Sequence, residues 1–226
     1  QIYRDREVRQ VPPLLGIGNT YREERNPASM GISALVEALN LLQEKPERDA
    51  VATAIALRDI GDWAVAFGKT GYSGTEYQRA GQVLGSAPNG DALQRQWFSG
   101  ANYVLYEPIS PRGLSTSPEA LSGHVTVSFD IDTAGNTENV TLIESSPVGL
   151  KDEAVLRHIR RSRFRPVLEN GAVVVGKRLD DRRGLSQIVR RQRVVALVEL
   201  PPRVVRGAGF HLHGVAHVRP PPAQTA

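Results

Sequence analysis

Residues 123–146 read GHVTVSFDIDTAGNTENVTLIESS, and the fold turns on this stretch. Val125, Val127, Phe129 and Ile131 take every second position, with His124, Thr126, Ser128, Asp130 and Asp132 between them. Side chains of a strand alternate faces, so the pattern predicts a strand with one buried and one wet face. Gly135 stands where a tight connection needs a positive φ. Val140 and Leu142 carry the apolar face onto a return strand. The hairpin holds no nucleophile–base pair and no cluster of metal-ligand type, so backbone pairing and packing are its chemistry.

The hairpin needs a cover, and the next segment supplies it. LKDEAVLRHIRRSRFRP (150–166) places Asp152 and Glu153 in the first turn of a predicted helix and Arg157, Arg160, Arg161 and Arg163 toward its end. Both placements complement the helix dipole. Val155, Leu156 and Ile159 form the stripe that faces the sheet, Phe164 anchors the exit, and Pro166 prevents continuation. ENGAVVVGKRL (169–179) then offers an Asn-Gly turn and a third strand. Strand, strand, helix, strand is a compact α+β module with one helix on a small antiparallel sheet.

Gly123, Val125, Phe129, Asp132, Gly135, Phe164, Pro166 and Gly171 occur in the order and context of the TonB C-terminal domain family, which residues 123–179 resemble. The resemblance implies a three-stranded sheet with one helix and no catalytic residue. It implies a protein that links an energised inner-membrane motor complex to outer-membrane receptors. A short receptor peptide is accepted in that family as an added strand beside the last strand of the sheet. Here that edge falls on Ala172, Val173, Val174, Val175, Gly176, Lys177, Arg178 and Leu179. From Asp180 onward the chain departs from the family pattern: arginine and proline dominate and the expected aromatic ending is missing. RVVALVEL (193–200) is the candidate replacement strand.

Upstream, residues 1–26 contain Pro12-Pro13 and Gly16-Ile17-Gly18 and read as an irregular segment. Asn26 and Pro27 are placed to cap and start a helix, with Ile32, Leu35, Val36, Leu39 and Leu42 on its apolar face. Pro46 opens a second helix running to about Phe67, GKTGYSG (68–74) breaks it, TEYQRAGQVL (75–84) forms a third, and 93–98 a fourth. Gly61, Gly68, Tyr77 and Ala80 resemble one tetratricopeptide repeat, although Ser73 and Ala64 depart from its consensus. A plain helical bundle reads the same pattern nearly as well. The expected organisation is an irregular segment (1–26), a helical repeat-like domain (27–106), a Pro/Ser/Gly linker (107–122), the TonB-like module (123–182) and a basic Pro-rich tail (183–226). The fold class is α+β.

Composition narrows the function. The 226 residues include no cysteine, which excludes disulfides and thiolate chemistry. The net charge of +4 comes without an RNA-reading aromatic motif or zinc finger, so no nucleic-acid partner is expected. GKT (68–70) lacks the earlier glycine of a phosphate loop, because Trp63 stands there. His211, His213 and His217 share a strand-like spacing without a nearby acidic group to orient them, and no metal or cofactor is expected. The chain opens on Gln1 rather than Met and holds no run of 18 apolar residues. A processed product or fragment is therefore expected, with any signal or membrane anchor lying before it. The reading is a periplasmic, Gram-negative cell-envelope protein that is not an enzyme. Its expected partners are an outer-membrane TonB-dependent receptor or another envelope protein, and the inner-membrane motor. The alternative is a periplasmic helical scaffold that transduces no energy.

Overall fold

The computed structural model describes residues 9–44, 49–107, 123–146, 148–149, 152–169, 172–173 and 194–200. Among the described residues five helices come first: α1 (Val11–Glu23), α2 (Ser29–Gln43), α3 (Ala50–Ala66), α4 (Thr70–Leu84) and α5 (Gly90–Phe98). β1 (Tyr103–Leu105), β2 (Gly123–Ile131) and β3 (Thr137–Ser146) follow, then α6 (Asp152–Arg161). β4 (Arg163–Phe164), β5 (Leu168–Glu169), β6 (Ala172–Val173) and β7 (Val194–Leu200) complete the order. The architecture is α+β, helices first and a small sheet with its helix after.

The segment expected to be irregular is helical from Val11 to Glu23. Its prolines lie in the first turn, where the missing N–H groups have no helical partner to lose. Arg25 closes the segment in the left-handed region (φ 56°). Asn26 does not cap the next helix, which starts at Ser29 with Ala28 as its N-cap; its Oδ1 instead closes a turn by accepting from the Ala28 N–H at 3.1 Å. α3 begins at Ala50, with the Asp49 side chain accepting from the Ala52 N–H. The break in GKTGYSG is shorter than expected, because α4 already begins at Thr70.

Two cores form. The first lies among α1–α5 and includes Leu35, Leu39, Leu42, Leu57, Trp63, Tyr77, Leu84 and Phe98. The second holds Val125, Val127 and Phe129 from β2, Val155 and Ile159 from α6, and Phe164. Period-2 alternation in β2 and the stripe on α6 meet there, as the sequence pattern requires. Phe129 and Phe164 stack at 5.0 Å between ring centroids.

The cores are stitched together by a strand the sequence reading assigned to the helical domain. β1 pairs antiparallel with β4, Tyr103 opposite Phe164. Alternation along β1 sends Tyr103 toward the second core and buries Val104 in the first. Leu168 returns the favour from the other side, 7% exposed within the helical core. Gly135 tightens the seam. Its φ of +79° suits the hairpin turn, its carbonyl accepts from the Phe164 N–H at 2.9 Å, and a Cβ there would strike the Phe164 carbonyl and Val65 of α3.

α3 and α4 approach closely because Gly61 faces the ring of Tyr77, where a Cβ would come within 2.5 Å of the ring edge. Tyr77 is wholly buried and its hydroxyl is held by Asp62, so the ring has nowhere to retreat. Gly61→Ala is expected to destabilise the protein by about 1–3 kcal/mol. A fall in the urea midpoint at unchanged slope is the check; an unaltered midpoint contradicts the packing.

Candidate functional site

The three-stranded sheet has the order β3-β2-β7, with β2 central. Every residue of β7 pairs with β2 in an unbroken antiparallel register, from Gly123 opposite Leu200 to Phe129 opposite Val194. The β3 side is different. Its register against β2 shifts between Thr126 and Val127 and again between Ser128 and Asp130, and Asn139 there has a φ of 50°. Bulges twist a strand and interrupt its ladder, a common way of blunting an exposed edge. Of the two outer strands, β7 is therefore the one with the regular ladder.

The edge expected from sequence was 172–179. Ala172–Val173 instead pairs with Leu168–Glu169 in a separate two-stranded ribbon, and 174–179 lies outside the described residues. The ribbon is tied to the helical body by Leu168, which draws β5 and its partner away from β2. The third position in the sheet goes to Val194–Leu200, within the RVVALVEL stretch.

Behind the sheet lies the feature that sequence reasoning missed. Arg165, the residue after β4, reaches into the helical body. Its Nε donates to Asp62 Oδ1 at 2.8 Å, its Nη2 to Asp62 Oδ2 at 2.6 Å, and its Nη1 to the Trp97 carbonyl at 3.0 Å. Asp62 also accepts from Arg22 Nη1 at 2.8 Å and from the Tyr77 hydroxyl at 2.9 Å. One carboxylate on α3 thus joins α1, α4 and the β4 exit, and through Arg165 also α5. Asp62 is 2% exposed and Arg165 9%. Burial alone would push the Asp62 carboxyl up, but Arg165, with Arg22 and Arg58, outweighs it and holds the pKa below the ordinary value. A neighbouring network repeats the theme: Asp59 accepts from Asn19 and Arg58, and the Arg58 guanidinium lies 4.6 Å over the Trp97 ring. The available sequence signal was an Asp in the apolar stretch IALRDIGDWAVAF, which is costly unless paired.

A second polar constellation sits where α6 meets β1. The His158 ring contacts the Tyr103 hydroxyl through Nε2 at 3.0 Å and the Glu107 carbonyl through Nδ1. A carbonyl can only accept, so Nδ1 carries the proton and neutral Nε2 accepts from Tyr103. Glu107 is held further by the Ser162 hydroxyl on its N–H and by Arg25 on its carboxylate. Burial pushes the His158 pKa below its ordinary value, and the Glu107 carbonyl opposes this without overcoming it. Among the described residues no group of three or more His, Cys, Asp or Glu side chains is placed to hold a metal ion, and His211, His213 and His217 lie outside them.

Two outcomes follow from these contacts. Asp62→Asn strands two guanidinium groups, whereas Arg165→Met leaves Asp62 with Arg22 and Tyr77. Denaturant unfolding is expected to show a loss of about 3–5 kcal/mol for Asp62→Asn, a smaller loss for Arg165→Met, and a double variant well short of the sum. Additive losses would mean that the two residues are not coupled. For His158 the folded pKa lies below the unfolded 6.5, so its contribution is complete above pH 6.5 and is lost as pH falls toward the folded value. Urea midpoints at about pH 7.5 and about pH 5.5 should therefore differ more for the parent chain than for His158→Asn, which keeps a donor toward Glu107.

Compared with known families, residues 118–178 match the one described as Gram-negative bacterial TonB protein C-terminal. No curated protein and no solved structure matches the chain significantly. The match spans β2, β3, α6 and the segment carrying Phe164 and Arg165, about a quarter of the chain. Residues 118–178 are a domain of the TonB C-terminal family.

Proposed function

We propose that this chain is a cell-envelope protein of TonB type that couples inner-membrane energy to receptor-mediated transport at the outer membrane. It does so by accepting an extended receptor segment as an added strand. The observation that carries the reading is the family domain at 118–178 joined to a sheet whose β7 side is regular and whose β3 side is bulged. A strand edge presents unpaired N–H and C=O groups, and a partner backbone satisfies them with little demand on its side chains. The chemistry is association, without a bond made or broken in either partner. The inner-membrane motor is a further proposed partner; among the described residues no helix is long and apolar enough to cross a membrane.

A second reading rests on the helical body. It holds the larger core and grips the module through Asp62 and Arg165. A periplasmic scaffold using the helices as its binding surface, without energy transduction, fits that arrangement.

The deciding experiment is an NMR titration of the isotope-labelled full chain with an extended peptide taken from an outer-membrane TonB-dependent receptor. Saturable shifts along Val194–Leu200 are expected, with intermolecular contacts from the peptide backbone to that strand. Shifts confined to Ala172–Leu179 would keep strand addition and move the site to the edge inferred from sequence. A folded chain that shows no shifts at either place would overturn strand addition and leave the scaffold reading.

A further inference from the structure

α6 separates its residues by face. Val155 and Ile159 are fully buried and His158 is 3% exposed, while Arg157, Arg160 and Arg161 are exposed on the opposite side. Spacings of three and four residues place these three guanidinium groups together on one surface. None of them makes an ion pair or a side-chain hydrogen bond with any described residue. Arg163 adds a fourth, half-exposed cation next to them, oriented by the Ser162 carbonyl at 3.1 Å. Glu107, whose N–H is bonded to Ser162 just past the helix, has its carboxylate taken by Arg25 at 2.8 Å. Glu153 lies one turn before Arg157 at the spacing of a helix ion pair, yet no ion pair joins it to any of the three arginines.

The helix dipole explains part of this charge. Its influence fades within the last turn, which covers Arg160 and Arg161 but not Arg157. Among the described residues neither packing nor pairing accounts for the remainder. We propose that this arginine face docks on the surface of an anionic phospholipid bilayer. Guanidinium groups match phosphate geometry and lose less hydration than ammonium groups. The outside of a helix is convex and offers no cradle for a single small anion, whereas a headgroup layer presents phosphates in an array. An acidic protein is the less suitable occupant, because specific protein interfaces are built around a desolvated apolar centre. Among the described residues the exposed large apolar side chains are Ile17, Met30, Val36, Leu142, Ile143 and Val148, on α1, α2, β3 and the turn before α6. None lies on α6, and Val148 stands in the turn before its first residue. The proposal stands on this charge distribution and does not depend on strand addition.

The test is co-sedimentation of the full chain with vesicles of phosphatidylcholine, either pure or with about one-third phosphatidylglycerol. Binding is expected for the anionic vesicles alone and weakens as salt is raised. Each guanidinium near such a surface strengthens binding about fivefold, so R157E/R160E/R161E should weaken it on the order of 100-fold or more while circular dichroism stays unchanged. R190E/R191E/R193E changes the net charge equally elsewhere in the chain and should retain most of the binding. If the reversed triple fails to fold, R157Q/R160Q/R161Q takes its place and should still lose most of the binding. Absence of binding by the parent chain overturns the proposal, as does a triple variant that binds like the parent or a tail variant that loses as much. Retention on immobilised polyglutamate through the same three arginines, without vesicle binding, would assign the face to an acidic protein instead.

Discussion

The carboxylate of Asp62 is buried within the helical body, and the chain must bring positive charge to it. Moving a carboxylate out of water costs several kcal/mol even after the surroundings relax. Arg22 meets part of that cost from within the helical body, and Arg165 meets the rest from a segment 103 positions further along the chain. The Arg165 pair is two-pronged, with Nε on one oxygen and Nη2 on the other, and its third nitrogen is fixed by the Trp97 carbonyl. Such a fork sets direction as well as distance. The backbone at Arg165 is oriented in turn, its N–H donating to the Asn102 carbonyl at 2.8 Å. Phe164, one residue earlier, points into the other core. Adjacent residues thus anchor opposite bodies, and the α+β module is seated on the helices as one piece with them.

That seating shapes the sheet. With Phe164 paired against β1 and Leu168 sunk among the helices, the chain leaving α6 cannot run straight back alongside β2. β5 and β6 form their own ribbon, and the vacated side of β2 is taken by Val194–Leu200. The helical body thereby decides which apolar run completes the sheet. The two outer strands then differ in kind: β3 is twisted by bulges, while β7 keeps a regular ladder.

What could be read from sequence follows how local each cause is. Val125, Val127, Phe129 and Ile131 alternate strictly, and alternation has one structural meaning, so the first strand, its Gly135 turn and the covering helix were legible. Pro12 and Pro13 were read as breakers because their place in the first turn of α1 depends on where the helix starts, which a neighbouring helix decides. AVVV and VVALVEL are equally good strands by composition, and the choice between them is made by Leu168, a tertiary contact. β1 escaped notice because three residues carry too little pattern. Asp62 was visible as a misplaced charge, but nothing local names Arg165 as its partner. The candidate edge was named from the AVVV run alone, and the ribbon that Ala172–Val173 forms with Leu168–Glu169 is a pairing no local pattern announces.

The distance along the chain between Asp62 and Arg165 has a consequence for how the protein assembles. A chain emerges from its N-terminus, and domains form in that order. When α1–α5 are complete, Arg165 has not yet been made, and an unpaired carboxylate would stand in the way of closing the helical core. Arg22 and the Tyr77 hydroxyl, both already present, are in hydrogen-bond range of Asp62 and act as provisional partners. The helical body can therefore close first, with a half-neutralised socket shaped for a guanidinium. The later-made module is recruited to that socket, so the first part of the chain serves the second as an internal template for its position.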